Sequence, residues 1–372
     1  MSSEPRPLNL DVEVILTAQH ANGAFPAGAE FSQYARCWLR DGSFIAHALD
    51  VAALGAGPTG ALGSRAKAGA FRFHAWVAAT LARLRPTVVD LCERRAGAVP
   101  LGEFDFLPAR FTLDGDWERD GWPNFQLDGY GQWLWSLAHH LRSEGRVELP
   151  SEMVEAVHLV VRYLSTFWDQ PCYDAWEEGR SQLHTATLAS IHAGLRDIQP
   201  YLPPLLAAMA KAAAAGTLRY IRDDCVQDGA LIKSIRNTAV DASLLWLSVP
   251  FDVYAVDDPV IVATAARIER ELLGGGVRRY LADTYYGGGE WILLTAWLAW
   301  YWLRVGRRAD AEKLMEWIEA QRGEAGALPE QVPGPTVHGR FLAFWKREWG
   351  PSAEQLLWSH AMVAIVRSEL SV

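Results

Sequence analysis

Cysteine and methionine are scarce in this 372-residue chain, at four and five copies. Cys37, Cys92, Cys172 and Cys225 lie far apart and form no CxxC pair, so neither a disulfide framework nor a zinc site is expected. Basic charge is not in excess: 35 Lys and Arg stand against 44 Asp and Glu, net −9, with both signs scattered. A nucleic-acid partner would call for a clustered basic patch, so none is expected. The most apolar run, Trp291 to Leu303, is shorter than the ~18–20 residues that span a bilayer. Met1 to Arg6 is polar and no apolar h-region follows it, so no secretory signal is visible. Reduced thiols and these absences together predict a cytoplasmic protein without a membrane partner. No GxSxG elbow and no GxxxxGK[ST] loop are present, which removes Ser-His-Asp hydrolysis and P-loop phosphate binding.

What the chain has in excess is tryptophan, with 17 copies. An indole offers a flat apolar face and one N–H, which suits either a packed core or a cleft for flat ligands with polar edges, such as sugars. Helical periodicity recurs at 9–20, 43–55, 64–83, 127–142, 151–167, 182–197, 204–222, 241–248, 259–273, 290–304, 309–322 and 353–370. This predicts an all-α fold of about twelve helices. Ser151, Asp310 and Ser352 (with Gln355) read as N-caps. Strand patterns are rare, with candidates only near 101–113 and 279–286. Segment 290–304 is apolar nearly all round and 309–322 is amphipathic; such pairs, repeated, suit the inner and outer rings of an α/α toroid. No repeat or Ser/Gly-rich linker divides the chain, so residues 1–372 read as a single domain.

Long aromatic loops at 98–126, 168–181, 274–290 and 323–351 are where function is expected. Tyr34, Trp38, Arg40 and Asp41 place a carboxylate and a guanidinium beside aromatics, a set that can hold vicinal hydroxyls; an N-cap Asp beside a surface Arg is the plainer alternative. The segment Trp117–Trp133 alternates aromatics, Trp122 among them, with Arg, Asp, Asn and Gln. Tyr173, Trp176, Glu177 and Glu178 put adjacent carboxylates among aromatics. One of the pair, protonated through burial and its neighbour's charge, is what a general acid needs; a solvated acidic turn is the alternative. Arg279 opens a segment that runs to Gly287, Gly288 and Gly289, where a backbone can approach a ligand closely. Glu330 lies alone between Pro329 and Gln331. His139, His140, His184, His192 and His360 fall in helical segments without metal-ligand spacing, and no metal or cofactor is expected.

In this order the segments resemble glycoside hydrolase family 15, the glucoamylase and glucodextranase family. The resemblance runs from Tyr34, Trp38, Arg40 and Asp41 through Trp176-Glu177-Glu178 and Arg279-Tyr280 with Asp283-Thr284-Tyr285-Tyr286 to Leu328-Pro329-Glu330-Gln331. Leu357-Trp358-Ser359-His360-Ala361 closes it. It implies an (α/α)6 barrel. It also implies Glu177 as general acid, Glu330 as general base, Arg40 and Asp41 gripping the terminal glucose, and Tyr34 and Trp38 around it. Glu178, Arg279, Gln331 and Trp358 fall on further substrate-binding positions, while Trp122, Tyr173, Arg279 and the 334–351 loop would shape the neighbouring subsite.

The implied chemistry is inverting hydrolysis, with the two carboxyls expected ~6.5–9.5 Å apart. The motif set begins at Tyr34, which leaves no room for an N-terminal β-sandwich or a starch-binding domain. Small gluco-oligosaccharides are therefore the expected substrates, isomaltose first, then maltose-type sugars or trehalose. A glycoside phosphorylase and a non-catalytic sugar-binding toroid are the alternatives. Oligomeric state is not readable from the sequence.

Overall fold

A computed structural model describes residues 8–28, 32–55, 60–335 and 337–371; the N-terminal stretch Met1 to Arg6 lies outside them. Among the described residues thirteen α-helices run in the order α1 (Leu8–Ala18), α2 (Leu39–Gly55), α3 (Ala61–Ala82), α4 (Arg85–Ala96), α5 (Asp128–Ser143), α6 (Ser151–Phe167) and α7 (Thr185–Ile198). They continue with α8 (Pro204–Asp224), α9 (Pro259–Leu272), α10 (Ile292–Arg304), α11 (Arg308–Ala320), α12 (Gly339–Trp349) and α13 (Leu357–Leu370). Six strands of two residues each form three antiparallel pairs: β1 (Cys37–Trp38) with β2 (Arg110–Phe111), β3 (Val226–Gln227) with β4 (Ala230–Leu231), and β5 (Glu290–Trp291) with β6 (Gln331–Val332).

Six elements close a ring. α2 packs on α5, α5 on α7, α7 on the 3₁₀ helix Ala242–Leu247, that helix on α10, α10 on α13, and α13 back on α2. Around it α1, α3, α6, α8, α9 and α11 pack outside, each against an inner element. This is the (α/α)6 barrel, with the fourth inner helix replaced by a short 3₁₀ segment whose Asp241 carboxylate accepts from the Ser243 N–H. Burial follows from sequence: α10 is buried on nearly every face, whereas α11 buries only Ala311, Leu314, Met315 and Ile318. Aromatic rings plug the barrel axis. Phe44 of α2 lies 5.3–6.4 Å, centroid to centroid, from Trp135, Trp246, Phe251, Trp297 and Trp358.

Local expectations fail in several places. Two helices lie where the periodicity marks none: α4, between the 64–83 segment and the 98–126 loop, and α12, inside the 323–351 loop. Neither Ser151, Asp310 nor Ser352 caps a helix. α6 begins at Ser151 itself, Asp310 sits inside α11 bound to Arg307, and the Ser352 hydroxyl donates to the Gln331 carbonyl. The Asp241 and Asp258 carboxylates cap helices instead. The 279–286 segment forms no strand, ending instead in a 3₁₀ turn at Tyr285–Gly287.

Candidate active site

The inner helices present their N-terminal ends to one cavity of about 550 Å³, well within the ~300–1,000 Å³ typical of small-molecule sites. Its walls come from the start of α2 (Trp38, Arg40, Asp41), the loop before α5 (Trp122) and the 175–178 turn before α7. The 279–285 segment, Trp291 before α10, Glu330, and Trp358 at the start of α13 complete it. Helix N-termini carry partial positive charge, a suitable setting for a cleft lined with carboxylates.

Of the residues singled out from sequence, Tyr34, Trp38, Arg40, Asp41, Trp122, Trp176, Glu177, Glu178, Arg279, Glu330 and Trp358 all line this cavity. Tyr173 and Gln331 do not. The Tyr173 hydroxyl donates instead to Glu103 Oε1 at 2.7 Å. Gln331 stands behind the wall, its Oε1 accepting from the Gly289 N–H at 3.2 Å. The three glycines also face protein and not ligand: a Cβ on Gly289 would lie 2.5 Å from Gln331 Oε1 and 2.7 Å from the Val332 carbonyl.

Two carboxyls from different loops differ sharply in their surroundings. Glu330 is buried, and one oxygen, Oε1, accepts from the Tyr34 hydroxyl at 2.6 Å while Oε2 has no hydrogen-bond partner among the described residues. Burial pushes its pKa up to about 7, against the pull of the Tyr34 hydrogen bond and the Arg279 charge. The strap that carries it is pinned on both sides. The Glu330 N–H donates to the Ala353 carbonyl, the Ser359 hydroxyl to the Pro329 carbonyl, and the Leu328 N–H to His360 Nε2, whose Nδ1 bonds Asp11.

Glu177 Oε1 accepts from Trp38 Nε1 at 2.8 Å and from the Gln126 amide at 3.1 Å. Its φ of 67° lies in the left-handed region, uncommon for a residue with a Cβ and concentrated at functional turns. Glu178 is held differently: the Tyr280 hydroxyl donates to it at 2.5 Å, Arg279 approaches at 3.4 Å and Lys233 at 4.0 Å. Burial raises its pKa, with those two cations opposing.

The cavity's cations are paired. Arg40 donates to Gln126 at 2.8 Å and to Asp128 at 3.2 Å, and stands 3.6 Å from Asp41. Arg279 grips Asp283 through two N–H groups beneath the rings of Trp176, Tyr280, Tyr285 and Trp291. Asp41, left with a surplus of buried charge, is pushed by burial up to about 7 despite Arg40. A buried carboxylate beside a guanidinium can accept from two sugar hydroxyls while the guanidinium fixes its orientation.

Further residues line the cavity or support its walls. Tyr285 hydrogen-bonds Tyr34 at 2.9 Å. Gln126 ties Arg40 to Glu177. Arg110 lies buried under Trp122 and Trp38, 4.0 and 5.3 Å from their ring centroids. Trp345 and Trp349 reach the cavity from α12. Tyr285 and Gln126 stand inside motifs already quoted, Trp345 and Trp349 inside the 334–351 loop expected to shape the neighbouring subsite, and Arg110 has no local signal. Outside the cavity, Asp50, His74 and His140 are buried with ligand-capable atoms within 4.8 Å of one another, the Asp50 carboxylate bonded to His140 Nδ1 at 2.8 Å.

Comparison with known proteins gives a consistent result. The profile of glycosyl hydrolases family 15 matches residues 9–357. A protein named isomaltose glucohydrolase from Kribbella flavida is 41% identical over 367 residues, covering 96% of this chain and 91% of its own length. Solved structures of a glycosidase, one variant of it in complex with glucose, superpose with a TM-score of 0.91 at 37% identity, covering 100% of this chain and 99% of theirs. A bacterial glucoamylase complexed with acarbose shares the fold at TM-score 0.68 and 18% identity, with 97% of this chain covered and 55% of its own.

Proposed function

The chain belongs to the glycosyl hydrolases of family 15 and is a glycoside hydrolase, and on that premise we propose that it removes glucose from the non-reducing end of small α-glucosides with inversion. Isomaltose is the first substrate. The reading is carried by one observation: Glu177 and Glu330, from separate loops, face one cavity and are held by different kinds of partner. Glu178 is committed to Arg279 and Tyr280, a binding carboxylate's environment, which favours its neighbour Glu177 as the acid.

In this mechanism Arg40 and Asp41 hold the terminal glucose. Glu330, ionised, takes a proton from water through its free Oε2, and the water oxygen bonds to the anomeric carbon. Glu177 gives its proton to the glycosidic oxygen on the opposite face as the C–O bond breaks. The products are β-glucose and the shortened sugar, and Glu177 must be reprotonated before the next turnover. The preference for an α-1,6 bond draws on the likeness to the Kribbella flavida protein, whose name states isomaltose. A phosphorylase would need an uncommitted cation; the cavity-lining cations, Arg40 and Arg279, are both paired with carboxylates. Proton NMR of isomaltose turnover tests the proposal directly. β-Glucose should appear first; α-glucose first would overturn inversion. A panel of isomaltose, maltose, nigerose, kojibiose and trehalose would test linkage, and silence on all five would overturn the assignment.

A further inference from the structure

Beneath the turn that carries Glu177 lies a buried cation to which the mechanism gives no role. Lys233 follows β4 and its Nζ sits 2.9 Å from Asp174 Oδ2, 3.0 Å from Asp241 Oδ2 and 4.0 Å from Glu178 Oε2. The ring of Tyr280 covers it at 4.1 Å. Lys233, Asp174 and Asp241 are all buried, and none of them lines the cavity.

Each carboxylate joins Lys233 to the acid turn. Asp174 Oδ1 accepts the backbone N–H groups of Trp176 and Glu178, both at 2.9 Å. Asp241 accepts the Trp176 indole N–H at 2.9 and 3.1 Å. Main-chain bonds close the same turn, from the Glu177 N–H to the Asp174 carbonyl and from the Asp174 N–H to the Glu178 carbonyl, both at 2.9 Å. Glu177 therefore has hydrogen-bonded residues on either side of it and is held in a left-handed conformation that a free loop would leave.

We propose that Lys233 is a positioning residue for the acid: it holds Asp174 and Asp241 together beneath the turn, and through them fixes Trp176 and Glu178 so that the Glu177 carboxyl points at the glycosidic oxygen. Two buried carboxylates without a cation repel, and one of them takes up a proton. Burial would raise Asp174, but the Lys233 charge holds it below the usual carboxylate range, ready to accept both N–H groups. The inference rests on Glu177 being the general acid, and the test separates the two claims.

Isomaltose needs a proton on its leaving oxygen; α-glucosyl fluoride does not, because the C–F bond breaks to fluoride ion while Glu330 takes the proton from the attacking water. On isomaltose, Lys233→Met should lower kcat about 100-fold, the size of a lost general acid. On the fluoride kcat should fall less than about 10-fold, and KM should hold within about threefold on both. Glu177→Gln should show the same split. Circular dichroism reports folding, and where Lys233→Met does not fold, Asp241→Asn, which removes a charge but keeps the shape, must show the split instead. Equal losses on both substrates, or none, alongside a clear split in Glu177→Gln, would overturn the role of Lys233. No split in Glu177→Gln would overturn the acid assignment itself, and the positioning role with it.

Discussion

Tyr34 donates its hydroxyl proton to Glu330 Oε1 across 2.6 Å, from a ring held edge-on against Trp38 at 5.7 Å between centroids. The Tyr285 hydroxyl lies 2.9 Å from that of Tyr34, so Glu330, the proposed base, ends a short chain of two phenols. Both phenols are pushed well above their ordinary pKa, by burial and by the Glu330 charge, and stay protonated donors throughout the working pH range.

Tyr34→Phe removes the one side-chain hydroxyl that favours the ionised form of Glu330. A hydrogen bond to a charged group contributes ~1.5–3 kcal/mol, and one pKa unit corresponds to ~1.4 kcal/mol. Burial already places the Glu330 pKa at about 7, so kcat/KM should rise through neutral pH in the wild type. In Tyr34→Phe that limb should move upward by about one to two units. A pH–rate profile on isomaltose reads the shift directly, and an unmoved acid limb would contradict the role of the pair. Asp41, also near 7, titrates in the same range, and Asp41→Asn separates its contribution.

The same group links pH to stability. In the folded protein Glu330 keeps its proton up to about 7, against 4.5 for an unperturbed glutamate. Its contribution to stability is therefore complete below pH 4.5 and is lost as pH rises through 7. At pH 8 the ionised, buried carboxylate costs on the order of 3 kcal/mol. Glu330→Gln has no charge to bury. It should abolish isomaltose turnover and yet melt a few degrees above the wild type at pH 8, with the difference vanishing near pH 4. Thermal denaturation at the two pH values measures this, and a lower Tm at pH 8 would contradict it.

Where chemistry sits in short contiguous motifs, the sequence was legible: Arg40-Asp41, Trp176-Glu177-Glu178 and Glu330 all reach one cavity. The ring was legible for a related reason, since α10 and α11 show opposite apolar patterning over full turns. What stayed hidden depends on partners distant in sequence. Lys233 has meaning only beside Asp174 and Asp241, and Arg110 only beneath Trp38 and Trp122. α4 buries just Val88 and Leu91 and so shows little of the apolar stripe that periodicity detects, whereas α12 carries one in Phe341, Trp345 and Trp349 but buries no residue and lies inside a long aromatic loop, which masks it. The glycines of 287–289 serve close packing, Gly287 against His338, Gly288 against Asp283 and Gly289 against the Glu330 strap, a use indistinguishable in sequence from an approach to a ligand.

Tyr173 offers a contrasting test, because its aromatic ring sits in a motif beside Glu177, the proposed acid, without lining the cavity. Its hydroxyl is committed to Glu103, which also binds Arg180. Tyr173→Phe should leave kcat and KM on isomaltose within about twofold, the scale of a substitution away from the reacting groups. A selective rise in KM would return Tyr173 to the substrate-binding set.

At the cavity mouth the unforeseen helix α12 supplies two indoles. Trp345 is anchored, its Nε1 donating to the Thr284 carbonyl at 3.0 Å and its ring packing 5.1 Å from Tyr285. Trp349 is half exposed and meets Trp122 edge-on at 6.2 Å, with Arg110 stacked on the other indole at 4.0 Å. Neither indole is among the hydrogen-bond partners of Glu330 or Glu177, so they should contribute to substrate binding and little to bond cleavage. An aromatic contact contributes ~0.5–1.5 kcal/mol beyond its buried area. Trp349→Ala should then raise KM for isomaltose about threefold to tenfold with kcat nearly unchanged, the pattern of lost uniform binding. Trp345→Ala should do more, since it also frees the 284–286 segment that places Tyr285 against Tyr34, and so should lower kcat as well as raise KM. Steady-state kinetics on both variants distinguishes the two indoles; a fall in kcat for Trp349→Ala with KM unmoved would place that ring in the transition state's surroundings instead.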